Sequence, residues 1–238
     1  MSNINVKGYF DTINKPWGQI FYKLVWHNLN YSGKRILDFG SGFGYTANFL
    51  AKENSVVAIE PNEEMLEYRI CDNEYEQKLG GIELLRDMPD KSFDVIVCHN
   101  VFEYVEDREA VFKEFNRLLK PDGEISIVKH NKTGKIMQKI VFEYNVEEAK
   151  QLLKDENVAS VNFGMINEYE NEELERFSNG EFSIDKVYGI RAFYALQRNE
   201  LKSGDEWLEN MFEIECMAEE RPEFRDIAFF QHIIMKHK

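Results

Sequence analysis

The chain has 238 residues, 43% of them hydrophobic, enough for one sizeable α/β domain and too short for a second full one. Its formal net charge of −14 repels polyanions at long range, which weighs against general nucleic-acid or anionic-membrane binding. No apolar run approaches ~18 residues and the N-terminus lacks the basic-then-apolar pattern of a signal peptide. The three scattered cysteines, Cys71, Cys98 and Cys216, form neither a disulfide framework nor a thiolate metal site, so a soluble, cytoplasmic protein is expected.

The opening thirty residues carry Tyr9, Phe10, Trp17, Phe21, Tyr22 and Trp26 and predict one or two helices, a cover formed by residues 1–30. Arg35-Ile36-Leu37-Asp38 is short, apolar and followed at once by glycines, which predicts a buried strand entering a tight turn. Residues 45–51 then present one apolar face and predict a helix whose free N-terminal amides point back at the turn. A second strand is expected over 55–59, ending at Glu60, and a helix over 62–70. Gly80-Gly81 leads into 82–85, expected as the third strand, and 93–99 is the fourth. Residues 106–120 predict a helix with Val111, Phe112, Phe115 and Leu118 on its apolar side, stopped by Lys120-Pro121-Asp122-Gly123 before a fifth strand over 124–128. The segment 131–180, strongly acidic from Glu143 through Asp155 and Glu156 to Glu173, predicts a mostly helical excursion on the substrate side. A strand over 183–190, a long helix over 204–219 and a final strand over 227–235 complete the chain. Alternating strands and helices with short connections predict a single α/β domain over 1–238, with a parallel sheet covered on both faces.

The chemistry concentrates at Asp38-Phe39-Gly40-Ser41-Gly42-Phe43-Gly44. Glycine permits positive φ and, lacking Cβ, lets a ligand approach the backbone closely. Glu60, twenty residues after Gly40, is placed to accept hydrogen bonds from two ribose hydroxyls. A dinucleotide site shares that layout, but pyrophosphate is anionic and favours a turn free of carboxylates. S-adenosylmethionine carries an ammonium and a sulfonium that Asp38 attracts, and the glycines run Gly-x-Gly-x-Gly instead of Gly-x-Gly-x-x-Gly. A nicotinamide-dependent oxidoreductase, a non-catalytic S-adenosylmethionine-binding protein and a turn without ligand stand as the alternatives.

Residues 129–139 contain Lys129, Lys132, Lys135 and Lys139 and no acid. Because ligands gather outside the carboxyl ends of strands in open α/β sheets, this run is expected on the side of the glycine turn. In a methyl transfer no metal is required. A carboxylate nucleophile is already ionised and needs only a cation to seat it, Lys129, Lys132 or Arg191; an amine or hydroxyl needs a base, His99 or His130.

The set Asp38–Gly44, Glu60, Ser92-Phe93-Asp94 and Lys120-Pro121-Asp122-Gly123 resembles the class I S-adenosylmethionine-dependent methyltransferases over roughly residues 30–130. The resemblance implies a Rossmann-like three-layer sandwich whose seven-stranded, mostly parallel sheet has an antiparallel last strand inserted between its neighbours. It also implies contact of the cofactor with Asp38, Gly40, Ser41, Gly42, Glu60, Pro61, Asn62, Leu85, Arg86 and His99, and a substrate wall at Tyr104. Within that class, His99-Asn100-Val101-Phe102-Glu103-Tyr104-Val105, His130-Asn131 and Gly189-Ile190-Arg191-Ala192-Phe193 look like the tRNA 5-carboxymethoxyuridine methyltransferases, which esterify the carboxylate of a modified wobble uridine. Where that family has a cofactor-contacting arginine, this chain offers Phe21. The acceptor is therefore expected to be a small or medium-sized molecule, with tRNA the specific alternative and a monomer or homodimer the working unit.

Overall fold

The computed structural model describes residues 5–154, 159–160, 164–165 and 167–238. Its strands are β1 (Arg35–Phe39), β2 (Ser55–Glu60), β3 (Glu76–Leu79), β4 (Phe93–His99), β5 (Leu119–His130), β6 (Ala159–Ser160), β7 (Gly164–Met165), β8 (Phe182–Ile190) and β9 (Phe230–His237). The α-helices are α1 (Val6–Ile13), α2 (Pro16–His27), α3 (Tyr45–Leu50), α4 (Glu63–Glu67), α5 (Arg108–Leu118), α6 (Lys132–Met137), α7 (Val146–Leu153), α8 (Asn171–Phe177), α9 (Asp205–Ala218) and α10 (Pro222–Arg225). Seven strands form one sheet in the order β3-β2-β1-β4-β5-β9-β8, while β6 and β7 pair antiparallel by themselves. β2, β1, β4 and β5 are parallel neighbours, with β3 parallel to β2. β9 runs the other way: Asn131 donates to the Phe229 carbonyl near its start, and His237 Nδ1 lies 3.2 Å from the Pro121 carbonyl oxygen near its end. The implied sheet, with an antiparallel last strand inserted beside the fifth, is thus observed.

Two compact units are defined by internal packing. The unit at 29–128, 169–186 and 233–238 is built on β1, β2 and β4, whose residues beyond the first are almost all buried, as a sheet covered on both faces requires. α5 packs Val111, Phe112, Phe115 and Leu118 inward. Its start is fixed by Asp107, whose side chain accepts from the Ala110 amide at 2.9 Å. Phe102 stacks on Phe112 with ring centroids 5.0 Å apart. Asp94 accepts from the Arg35 amide and from Lys120 Nζ, both at 2.8 Å, tying together the starts of β1, β4 and β5. The unit at 1–28, 129–168 and 187–232 holds α2, which begins at Pro16 where a missing N–H costs nothing, packed on α9. In the same unit Asn131 Nδ2 donates to the carbonyls of Asp226 and Ala228 at 3.0 and 2.8 Å, fixing the start of α6.

The sequence expectations fail in four places. The third strand is Glu76–Leu79, and 82–87 is a 3-10 helix instead. β3 is a sheet edge, so its residues alternate only weakly between half-buried and exposed and lack the apolar run of an interior strand. β5 begins at Leu119 and carries Lys120-Pro121-Asp122-Gly123 within it, across a register shift between the Phe93–Leu119 and Val95–Glu124 pairs. The last strand begins at Phe230, after residues 227–229 have left α10. The excursion at 131–180 contains α6, α7 and α8, but also a π-helical turn at Gln138–Phe142 and the short β6–β7 ladder. Asp155 and Glu156 lie outside the described residues.

Candidate functional site

β1 ends at Asp38 and Phe39, and the chain then turns through Gly40, Gly42 and Gly44 with φ of 79°, 56° and 77°. The amides of Gly40 and Ser41 both donate to the Ile59 carbonyl, at 2.8 and 2.9 Å, pinning the turn to the end of β2. A Cβ on Gly40 would run into the Val101 side chain, so the turn has room only for glycine there. Glu60, 6% exposed at the end of β2, closes the arrangement. Its Oε2 accepts from the Gly42 amide at 2.8 Å and its Oε1 from the Asn62 amide at 2.9 Å. Each oxygen keeps a second lone pair for a ligand hydroxyl.

Asp38 is 2% exposed. Burial, followed by the neighbouring Glu60 charge, raises its pKa to about 7, against which the Ala47 amide of α3 donates. Its Oδ2 is buried with no hydrogen-bond partner among the described residues. A half-satisfied buried carboxylate beside a left-handed glycine turn suits a cation, because a positive charge there stabilises the ionised form that burial disfavours. Burial raises the Glu60 carboxyl as well, opposed by its two amide donors.

The remaining residues of this unit fall as follows. Pro61 is exposed, and Asn62 caps α4 by accepting from the amides of Glu64 and Met65. Since the third strand lies earlier than expected, the segment leaving it is Gly80–Leu84. Leu85 is fully buried in the 3-10 helix, its carbonyl accepting from Arg117 Nη2 at 2.7 Å, and Arg86 is exposed. His99, half-buried at the end of β4, has Nε2 2.9 Å from Ser126 Oγ. Asn100 follows at φ 56°, and Tyr104 ends a 3-10 turn at 102–104. Gln77 joins the site without a sequence signal of its own: its Nε2 lies 3.3 Å from Ser41 Oγ on the glycine turn, and it sits on the polar edge strand β3.

Lys129, His130, Lys132 and Arg191 belong to the other unit. Lys129 is 3% exposed and Lys132 half-buried, while the His130 ring packs 4.7 Å from Phe230. The basic run is largely balanced by acids of the same unit: Lys135 pairs with Glu168, and Lys139 with Glu143 and Glu148 at 2.8 and 2.7 Å. Arg191 adopts φ 69° and packs 4.7 Å over the Phe229 ring. Two residues unanticipated from sequence organise this region. Glu215 of α9, 1% exposed, accepts from the amides of Ala192, Phe193 and Tyr194, and Lys202 is 2% exposed. Neither carried a sequence signal, since each is defined by a partner distant along the chain.

Residues 37–127 match the family model described as a methyltransferase domain. The chain is 34% identical over 113 residues to the ubiquinone biosynthesis O-methyltransferase of Neisseria meningitidis, covering 43% of this chain and 47% of that protein. It is 31% identical over 105 residues to the Idiomarina loihiensis protein of the same name, covering 42% and 43%. The chain thus spans about half the length of the curated relatives it matches. Among solved structures, an S-adenosylmethionine-dependent methyltransferase from Mesorhizobium loti superposes with a TM-score of 0.57 at 17% identity, over 94% of this chain and 99% of that one. Another from Archaeoglobus fulgidus gives 0.59 at 17% identity, over 92% and 93%. These likenesses establish the Rossmann-like methyltransferase fold.

Proposed function

We propose that the 29–128 segment binds S-adenosylmethionine and that the protein transfers its methyl group to a small or medium-sized acceptor. The observation that carries this reading is the buried Asp38 carboxylate, one oxygen without a partner among the described residues, beside a left-handed turn where a Cβ at Gly40 would strike Val101. The donor, when bound, supplies an electrophilic methyl carbon on a sulfonium, open to in-line attack. Asp38 holds the amino group, Glu60 accepts from the ribose hydroxyls through its remaining lone pairs, and the segment leaving β3, Gly80–Leu84, takes the place of Leu85 and Arg86 at the adenine edge. His99, positioned by Ser126, lies against the methionine portion. Holding the reacting groups in line is the protein's main contribution, an effect worth up to roughly 7–11 kcal/mol.

The names of the curated relatives favour an oxygen acceptor on a small molecule. If that oxygen is a hydroxyl, His99, in the same unit as Asp38 and Glu60, serves as base. The tRNA alternative draws less support, because Lys135 and Lys139 already face carboxylates. Titration calorimetry with S-adenosylhomocysteine and with NADH tests the reading: binding of the first, weakened in Asp38→Asn, is expected. Tight binding of NADH with indifference to both sulfur nucleosides would overturn it. Turnover of labelled S-adenosylmethionine with a panel of phenols and carboxylic acids then separates an enzyme from a non-catalytic binder.

A further inference from the structure

In the unit formed by 1–28, 129–168 and 187–232, two cations sit in an aromatic setting with little negative charge to balance them. Lys202 is 2% exposed, and its Nζ donates to Asn199 Oδ1, a neutral acceptor, at 3.0 Å. The same nitrogen lies 5.0 Å from the Phe142 ring centroid and 6.0 Å from that of Trp17. The Arg191 guanidinium lies 5.3 and 4.7 Å from the centroids of Tyr194 and Phe229. Its Nε is buried without a hydrogen-bond partner among the described residues. So is the hydroxyl of Tyr194, a residue 0% exposed. The carboxylate of Glu215 is occupied by three backbone amides. The acid that offsets Arg191, Glu215, thus already serves the backbone, and the one that offsets Lys202, Glu200, is exposed, which leaves buried donors without a matching acceptor.

We infer that Arg191, Lys202 and Tyr194 form an anion site, and that its ligand is a carboxylate carried on a flat, apolar body. The three side chains supply only donors in this role, the complement of a carboxylate's lone pairs. The rings of Trp17 and Phe142 beside Lys202 give flat apolar contact that a bare hydrated ion does not use. Burial, then repulsion from Arg191, lowers the Lys202 ammonium to about 8, with Glu200 pulling the other way. The site thus holds two cations only below that pH, and a bound anion raises the value. The anion site does not rest on the proposed function.

The test uses the whole chain and three probes, benzoate, the neutral isostere benzamide and inorganic phosphate, with S-adenosylhomocysteine titrated separately. Benzoate is expected to bind at least about tenfold more tightly than benzamide or phosphate, with affinity falling as pH rises through about 8. In protein labelled with 13C at the lysine Cε, benzoate should raise the titration midpoint of a single lysine, the one lost in Lys202→Met. Lys202→Met should abolish the pH dependence near 8, and Tyr194→Phe, which keeps the ring, should weaken benzoate at least about threefold. Equal affinity for benzamide or insensitivity to both substitutions overturns the anion site, and preference for phosphate overturns the carboxylate ligand. Failure of S-adenosylhomocysteine to bind while benzoate does would instead sink the methyl-transfer reading and leave the site standing.

Discussion

At Asp38 the requirements of folding and of binding oppose each other. The folded-state pKa of about 7 lies above the ordinary 3.8, so the neutral carboxyl is the form that folding favours. Stability from this group is fully present below 3.8 and is lost as pH rises through about 7, an upper bound of roughly 4 kcal/mol in all. A ligand ammonium reverses the preference. Affinity for S-adenosylhomocysteine is therefore expected to rise as pH passes 7, and calorimetry on Asp38→Asn should find that rise gone and binding weakened by about 10–100-fold, the range of a lost charge-assisted contact. Without ligand the same variant should be more stable than wild type at pH 8 in urea. The glycines separate geometry from space in a similar way. Gly42→Ala meets only Met65 Sδ at 3.8 Å, so its cost is the φ of 56° alone, about 1–2 kcal/mol. Gly40→Ala adds collision with Val101 and should lose more, both in urea midpoint and in cofactor affinity.

Between elements, Glu215 ties α9 to the bend after β8, where it takes three amides. Glu215→Ala leaves those donors buried and should cost about 2–5 kcal/mol in urea denaturation. Glu215→Gln keeps one acceptor oxygen and should cost distinctly less. Nothing in 205–218 marks Glu215 among its acidic neighbours, because its role comes from residues 21 to 23 positions earlier. By contrast Asp38, Gly40 and Glu60 were legible, since strand, turn and helix there follow one another directly and the interior strands read as apolar runs. Polarity hid β3, exposed along one edge, and a Lys-Pro-Asp-Gly that reads as a stop signal hid the early start of β5. The 3-10 helix at 82–87 reads as a strand in the sequence because Ile82, Leu84 and Leu85 are apolar, although only Leu85 is buried. Local pattern reports how much of a segment is apolar and cannot report which neighbour covers it.

For the molecule as a whole, 43 acidic against 29 basic side chains decide what approaches it and how it responds to salt. Self-repulsion at −14 opposes compaction, and exposed ion pairs such as Lys150–Glu147 and Arg198–Glu200 return little in water. Salt weakens both terms, but the excess of one sign makes repulsion the larger. The urea midpoint is therefore expected to rise between about 20 and 300 mM NaCl, where the Debye length shortens from roughly 20 to 6 Å. The same imbalance bears on the acceptor. A polyanion would have to find a continuous basic track, yet in the run 129–139 Lys135 and Lys139 are spent on acids of their own unit. Filter binding with unmodified tRNA should accordingly show no retention at physiological salt. Retention whose logarithm falls steeply with that of salt concentration would mean that several cations meet phosphates, and would restore the nucleic-acid reading.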